Sequence, residues 1–152
     1  MNICILGDSL TSLSLAKNLV NKKLNVQIFY NKDKKINNNP TRTIGISKSN
    51  IDYFNKKIIK INSNLLWDIN KIEIFSEKLN RDKILNFEDD KKDLFSLIKN
   101  DHLYNLLNND LNKNKLFKKK KLTQNILNKN FLRKYDLIIN CDPLNEITKK
   151  FF

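Results

Sequence analysis

The stretch that decides the fold is residues 3–30, which read ICILGDSLTSLSLAKNLVNKKLNVQIFY. Residues 3–6 are a short apolar run that ends in the glycine turn Gly7-Asp8-Ser9, a pattern typical of a buried parallel strand. From residue 10 the apolar side chains recur at helical spacing, and residues 26–30 are strand-like again. A strand, a helix and a strand within this length predict a right-handed crossover that joins two parallel strands.

The segments beyond this unit are shorter and mixed in type. Asp101 can cap a helix that carries Leu103 to Leu111, while the basic segment 113–121 is structurally ambiguous. The alternating strands at 72–75 and 84–87 predict a two-stranded ribbon with half-exposed faces. The other patterns predict a surface loop at 31–40, an extended segment at 41–47, a helix at 49–57, an apolar run at 94–98, a strand at 135–143 and a short amphipathic tail at 144–152.

Length and composition indicate one domain spanning 1–152. With 152 residues and 40% hydrophobic content, the chain is long enough for one core and too short for two. No stretch of 18 or more apolar residues occurs and no basic leader follows Met1, so we expect a cytoplasmic protein. The sequence stops on Phe151-Phe152, which we interpret as truncation or as a docking tail.

The charge is strongly basic, with 29 Lys and Arg against 16 Asp and Glu and a net charge of +13. Such a charge raises the hypothesis of a nucleic-acid-binding module that would use the lysines of residues 113–121. Lys and Asn each occur 26 times and Arg only three times, however, which indicates the compositional drift of an A/T-rich genome. We therefore interpret the basic run as a solvated surface and consider a nucleic-acid partner unfavoured.

Four residues of types that often carry chemistry have structural interpretations here. Cys4 and Cys141 lie in apolar strand-like runs, which favours buried reduced thiols over a disulfide. Trp67, beside two leucines, is predicted to be a core residue. His102 has no cysteine pair or metal-ligand cluster around it and is predicted to lie at a surface or a helix start. We identify no catalytic side chain and no metal ligand in the sequence.

Candidate binding residues follow three of the predicted strands. Gly7, Tyr30 and Asp142 stand at the carboxyl ends of the first, second and last strands, where ligands bind in open parallel sheets. If the last strand lies beside the first, these ends converge on one edge. The arrangement suits a dinucleotide whose pyrophosphate lies on the amino end of the first helix, which Ser9 or Thr11 can cap.

The dinucleotide fingerprint G-x-G-x-x-G is only partly present. Gly7 is retained, whereas Ser9 and Ser12 place side chains where the other two glycines would stand. Tyr30 replaces the carboxylate that normally accepts hydrogen bonds from the adenosine ribose. The three lysines within residues 32–35 could instead suit a ribose 2′-phosphate, or they are flexible surface lysines. A nucleotide site and a purely structural crossover turn both remain open from the residues alone.

The order and spacing of four later segments resemble those of a known protein family. These segments are TRTIGISKS at 41–49, LLWDINKIEI at 65–74, IKNDHLYNLL at 98–107 and DLIINCDPLN at 136–145. Together they look like the N-terminal half of the FAD-dependent aromatic hydroxylases. Within that family the chain is most similar to the ubiquinone-biosynthesis branch, the 2-polyprenyl-6-methoxyphenol hydroxylase type.

The resemblance implies a fold and a set of cofactor-binding residues. The implied fold is α/β, a Rossmann-like FAD-binding parallel sheet with an inserted small antiparallel ribbon, in truncated form. The implied FAD-binding residues are Gly7, Ser9 and Ser12 in the ADP-binding turn, Arg42 reaching the flavin, Asn100 beside the isoalloxazine or ribityl chain, and Asp142 from an Asp-Gly motif. Pro143 departs from that motif, because the family has glycine there. Without the resemblance, Arg42 could be a surface cation, Asn100 a helix-leading residue and Asp142 a turn former.

The resemblance also implies an activity. It is flavin-dependent hydroxylation of a small aromatic or polyprenylphenol substrate, with NAD(P)H as reductant, at a membrane surface or in a biosynthetic complex. Flavin hydroxylation needs no protein nucleophile, because the reactive oxygen species forms on the cofactor. Family members continue with a substrate-covering sheet and a second Gly-Asp motif, so we expect this chain to be an incomplete monooxygenase. The alternative is a degenerate nucleotide-binding fold that acts as a non-catalytic binding or assembly module.

Overall fold

The computed structural model describes residues 1–30, 42–77, 82–88, 94–122, 131 and 133–143. The architecture is α/β, as predicted, with one parallel sheet and two antiparallel ones. The elements are β1 (Asn2–Leu6), α1 (Leu10–Asn21), β2 (Asn25–Tyr30), β3 (Thr43–Ser47), α2 (Lys48–Tyr53), β4 (Trp67–Ile69), β5 (Lys71–Phe75), β6 (Lys83–Glu88), β7 (Phe95–Lys99), α3 (Asn100–Asn112), β8 (Phe117–Lys121) and β9 (Leu137–Asn140). The predicted loop at 31–40 and the tail at 144–152 lie outside the described residues.

The predicted opening unit is confirmed. β1 and β2 are parallel, with Ile5 opposite Ile28, and α1 connects them. The helix begins after Ser9 because the Ser9 hydroxyl accepts a hydrogen bond from the Ser12 N–H at 3.2 Å. It ends at Asn21, and Lys23 then takes a left-handed backbone conformation with φ of 65° that turns the chain into β2.

The parallel sheet has four strands in the order β8-β2-β1-β9. The last strand lies beside the first, which is the condition under which the ends of these strands converge on one edge. The ambiguous segment 113–121 includes β8, which pairs with β2 in parallel and places Phe117 opposite Val26. The basic run thus forms an edge strand of the sheet, where lysines discourage pairing with another chain.

The two faces of the parallel sheet are covered differently. Strand alternation sends Ile3, Ile5, Val26 and Ile28 to the face on which α1 and α3 pack, and these side chains are buried. Cys4, Leu6 and Phe29 point to the opposite face, where Phe131 and Tyr135 pack against them. Full burial of each large apolar side chain contributes about 1.5–3 kcal/mol, so the strands of this sheet hold the main core.

A second sheet has the order β3-β7-β4 and is antiparallel. β7 runs directly into α3, so the helix begins at Asn100 with Lys99 at the N-cap position and no side-chain cap. The prediction that Asp101 caps this helix is therefore wrong, because Asp101 already lies within the first turn. The core assignment of Trp67 is also wrong. It begins the short strand β4, and its side chain is 47% exposed.

The predicted helix at 49–57 is divided. α2 ends at Tyr53, and a π-helical turn follows at Phe54–Ile58. The last residue of α1 stabilises this wide turn, because the side-chain Nδ2 of Asn21 donates to the backbone carbonyls of Lys57 at 3.0 Å and Ile58 at 2.8 Å.

The predicted ribbon is present as β5 paired with β6, with Ile74 opposite Leu85 and a bulge before Phe75. Within the described part of the chain, no helix has the length and apolar character needed to cross a membrane.

Candidate functional site

The turn after β1 brings Gly7 against Asp142. The Gly7 N–H donates to the Phe29 carbonyl at 2.8 Å, and the Cys141 N–H donates to the Leu6 carbonyl at 2.8 Å. Gly7 has a φ of 109°, and a Cβ there would lie 3.1 Å from the Asp142 Cβ and from backbone atoms of Cys141 and Asp142. Only glycine meets both the conformation and the close approach without strain.

Ser9 and Ser12 form reciprocal hydrogen bonds at the amino end of α1. The Ser12 N–H donates to the Ser9 hydroxyl, and the Ser9 N–H donates to the Ser12 hydroxyl at 3.3 Å. The two hydroxyl oxygens are 3.1 Å apart. This reciprocal capping box fixes the start of the helix. The first turn of α1 contains no acidic residue, so no carboxylate of the helix neutralises the positive end of its dipole, which faces the loop after β1.

Asp8, between the glycine and the cap, belongs to a cluster that was not predicted from the sequence. Lys119 Nζ lies 2.7 Å from Asp8 Oδ1, and the Tyr104 hydroxyl donates to Asp8 Oδ2 at 2.9 Å. Lys119 also donates to the Tyr104 hydroxyl at 2.8 Å and to Asn108 Oδ1 at 3.2 Å. The side chain of Asp8 is 6% exposed and that of Lys119 is 18% exposed, so this is an ion pair largely removed from water.

Aromatic rings enclose the ammonium group of this cluster. Lys119 Nζ lies 5.3 Å from the ring centroids of both Tyr30 and Tyr104, within cation–π range. Burial raises the pKa of Tyr104, and the charge of Asp8 raises it further, so the phenol stays protonated and acts as a donor. Tyr30, at the end of β2, therefore packs on a lysine at the position where a ribose-binding carboxylate was expected.

The two thiols near the turn are poor nucleophiles. Burial raises the pKa of Cys4 to about 12 and also raises the pKa of Cys141, so both remain protonated near neutral pH. Both cysteines are free, and Cys4 is buried while Cys141 is half-buried, so the prediction of reduced thiols holds, with full burial for Cys4 only.

Arg42 and Asn100 form a second group of predicted site residues. The Asn100 N–H donates to the Arg42 carbonyl at 2.9 Å, which places the start of α3 beside the start of β3. Asn100 precedes Tyr104 by four residues, a rise of about 6 Å along the helix. Since Tyr104 contacts Asp8, α3 links the Arg42 and Asn100 pair to the turn after β1.

The structure thus brings Gly7, Ser9, Ser12 and Asp142 to one edge and places Arg42 beside Asn100. Their roles in cofactor binding stay predictions. Sequence reasoning missed Asp8, Tyr104 and Lys119. One signal could have identified Lys119. If residues 117–121 form a strand, alternation places Lys119 on the same face as the buried Phe117. His102 lies in the first turn of α3, as predicted for a residue at a helix start.

No protein-family model matches the chain, and no curated protein sequence matches it. Solved structures do match. The p-nitrophenol 4-monooxygenase of Pseudomonas putida aligns with a TM-score of 0.59 and 11% identity over 78% of this chain and 31% of that chain. The 2,6-dihydroxypyridine-3-hydroxylase of Arthrobacter nicotinovorans aligns with a TM-score of 0.51 and 15% identity over 78% of this chain and 28% of that one. The likeness confirms the fold, and the chain spans less than a third of the length of either enzyme.

Proposed function

We propose that this chain is the FAD-binding portion of a flavin-dependent monooxygenase that hydroxylates a small aromatic substrate. The observation that carries the proposal is the contact between Gly7 and Asp142 at the amino end of α1, where the ends of β1 and β9 meet. The fold likeness to two enzymes named as a monooxygenase and a hydroxylase supports it.

The residues at this edge fit a phosphate-bearing cofactor. Gly7 leaves the backbone open to close approach, and the amino end of α1 favours an anion. Asp8 would oppose an anion, but Lys119 balances its charge at 2.7 Å. Because Ser9 already binds the Ser12 N–H, the N–H groups of Leu10 and Thr11 are the ones we assign to the pyrophosphate. The Tyr30 hydroxyl replaces a carboxylate and offers the ribose a weaker acceptor.

Bound FAD would supply the oxygen-activating chemistry, with NAD(P)H as the proposed reductant. This chain's own residues would bind and orient the cofactor. Arg42 and Asn100, joined through the backbone, are assigned to the flavin end, and Asp142 is assigned to the centre of the cofactor beside Gly7. Resemblance to the ubiquinone-biosynthesis branch is the support for a polyprenylphenol substrate and for association with a membrane surface or a biosynthetic complex.

A second candidate is a nucleotide-type fold that serves as a non-catalytic binding or assembly module. The Ser9 and Ser12 capping box favours it, because the hydroxyls satisfy N–H groups that a phosphate would otherwise use. The ion pair of Asp8 with Lys119 favours it too, since the turn is already neutral without a ligand.

Titration with FAD separates the two candidates. We expect the purified chain to bind FAD, measured by quenching of flavin fluorescence and by retained visible absorbance after gel filtration. Gly7→Ala should weaken binding about tenfold, because a side chain at this φ costs about 1–3 kcal/mol and meets Asp142. Gly45→Ala, at the chain's other glycine, is the matched control and should leave the affinity unchanged, with circular dichroism reporting the fold of both variants.

A folded protein that shows no FAD binding would overturn the proposal in favour of the non-catalytic module. Equal affinities for Gly7→Ala and the parent protein would remove the turn after β1 as the binding site.

A further inference from the structure

A cavity of about 490 Å³ lies on the opposite face of the parallel sheet from α1 and α3. Its volume falls within the range of small-molecule sites in proteins, about 300–1,000 Å³. The strands β2 and β8 form one side, and the segment before β9 forms the other. The lining residues are Asn2, Gln27, Phe29, Lys120, Lys121, Phe131, Lys134 and Tyr135.

Three aromatic rings give the cavity a preorganised apolar wall. The ring centroids of Phe29 and Phe131 are 5.0 Å apart in an edge-to-face arrangement, and those of Phe131 and Tyr135 are 5.3 Å apart. The Tyr135 hydroxyl donates to Gln27 Oε1 at 2.9 Å, which fixes Tyr135 over the sheet. The Gln27 oxygen is engaged in this bond, which leaves the side-chain N–H groups of Gln27 as its donors.

Among the described residues, the polar side chains of the lining are neutral or positive. Lys120, Lys121 and Lys134 contribute ammonium groups, and no Asp or Glu lines the cavity within the part of the chain that the structure describes. Lys120 lies opposite Phe29 in the pairing of β2 with β8, so one charge stands directly beside the ring wall. Lys119 points to the other face and pairs with Asp8, so strand alternation places Lys119 and its neighbour Lys120 on opposite faces of the sheet.

We infer that this cavity binds a small aromatic molecule that carries an anionic oxygen group, of the aryl phosphate class. The ring would pack against Phe29 and Phe131, and the anion would lie between Lys120 and the other two lysines. This site is separate from the turn after β1 and does not depend on FAD binding there.

Calorimetric titration with three probes tests the inference. Phenyl phosphate carries both features, phenol only the ring and inorganic phosphate only the charge. We expect phenyl phosphate to bind at least about tenfold more tightly than either of the others, because ring packing and charge pairing act together. Saturating FAD should leave this affinity unchanged. Phosphate binding as strong as phenyl phosphate binding would show general attraction to lysines and overturn the inference, as would the absence of phenyl phosphate binding.

Two variants locate the site, and the lysine variant has a matched control on the same strand. Lys120→Gln should weaken phenyl phosphate binding about fivefold, whereas Lys118→Gln removes the same charge from the same strand at a residue that does not line the cavity and should have a clearly smaller effect. Phe131→Leu keeps an apolar wall but removes the ring, and it should weaken binding by roughly a factor of five. Equal effects of the Lys118 and Lys120 changes would overturn the assignment of the ligand to this cavity. Amide shifts of Gln27 on titration provide a second, position-specific readout.

Discussion

The parallel sheet and the β5–β6 ribbon are both built from strands with several large apolar residues, yet they reach opposite degrees of burial. In β1, Cys4 and Ile5 are completely buried, because helices cover one face and an aromatic cluster covers the other. In the ribbon, Ile74 is 42% exposed, Leu85 48% and Phe87 49%. Apolar residues therefore predict a strand in both regions, but burial depends on which elements pack on the faces of that strand.

Charge is also used differently in the two regions. One face of the ribbon carries ion pairs from Lys71 to Glu73 and Glu88, each at 3.5 Å, and another from Lys83 to Glu73. These pairs are near the surface, where screening by water leaves them weak. The parallel sheet has the Asp8 and Lys119 pair, held away from water. Three sets of variants test these differences in burial and in charge, in order of decreasing expected effect.

The largest difference is expected from trimming an apolar side chain in each region. Ile5→Ala should lower the free energy of unfolding by about 2–5 kcal/mol, because it opens a cavity in a fully buried strand. Leu85→Ala, on the exposed ribbon, should cost less than about 1 kcal/mol. Chemical denaturation followed by circular dichroism measures both. If the two changes cost the same, the apolar face of the ribbon is covered in solution, and the contrast between the regions fails.

An intermediate effect is expected at the buried ion pair. Lys119→Met should lower the free energy of unfolding by roughly 3 kcal/mol, because it leaves the Asp8 carboxylate without its cation. Lys118→Met, one position away and exposed, is the control and should change little. Adding Asp8→Asn to Lys119→Met should restore part of the loss, because the unpaired charge is then gone. A loss that persists in full in the double variant would mean that packing, and not charge, accounts for the effect.

These contrasts also explain how far the sequence could predict the molecule. The unit of β1, α1 and β2 was predictable because its signals are local, namely an apolar run, a glycine turn and a capping serine. The Lys119 partner of Asp8 was not, because it depends on the register of β8 against β2, more than a hundred residues along the chain. Trp67 was wrongly placed in the core because neighbouring leucines do not specify which face of β4 is covered.

The smallest effect is expected from acid acting on Glu73 in the ribbon. The hydrogen bond from Lys83 lowers the pKa of Glu73 below its ordinary value of 4.5, with Lys71 adding to the effect. A lowered pKa in the folded state means that Glu73 stabilises the ribbon above pH 4.5 and that this contribution is lost as the pH falls through the folded pKa. The amide shifts of Ile74 and Leu85, followed by NMR from pH 7 downward, should therefore move below pH 4.5.

Glu73→Gln is the matched variant for this titration, because it keeps the size of the side chain and removes the charge. It should abolish the acid-dependent shifts in the ribbon and leave the amides of Cys4 and Ile5 unaffected. The parallel sheet differs in the sign of its pH sensitivity. Burial raises the pKa of Cys4 from 9.0 to about 12. The thiol therefore ionises more readily in the unfolded chain, and the stability of the sheet falls as the pH rises from 9 to about 12. Acid-dependent shifts at Ile5 that vanish in Glu73→Gln would show instead that the ribbon and the sheet are coupled.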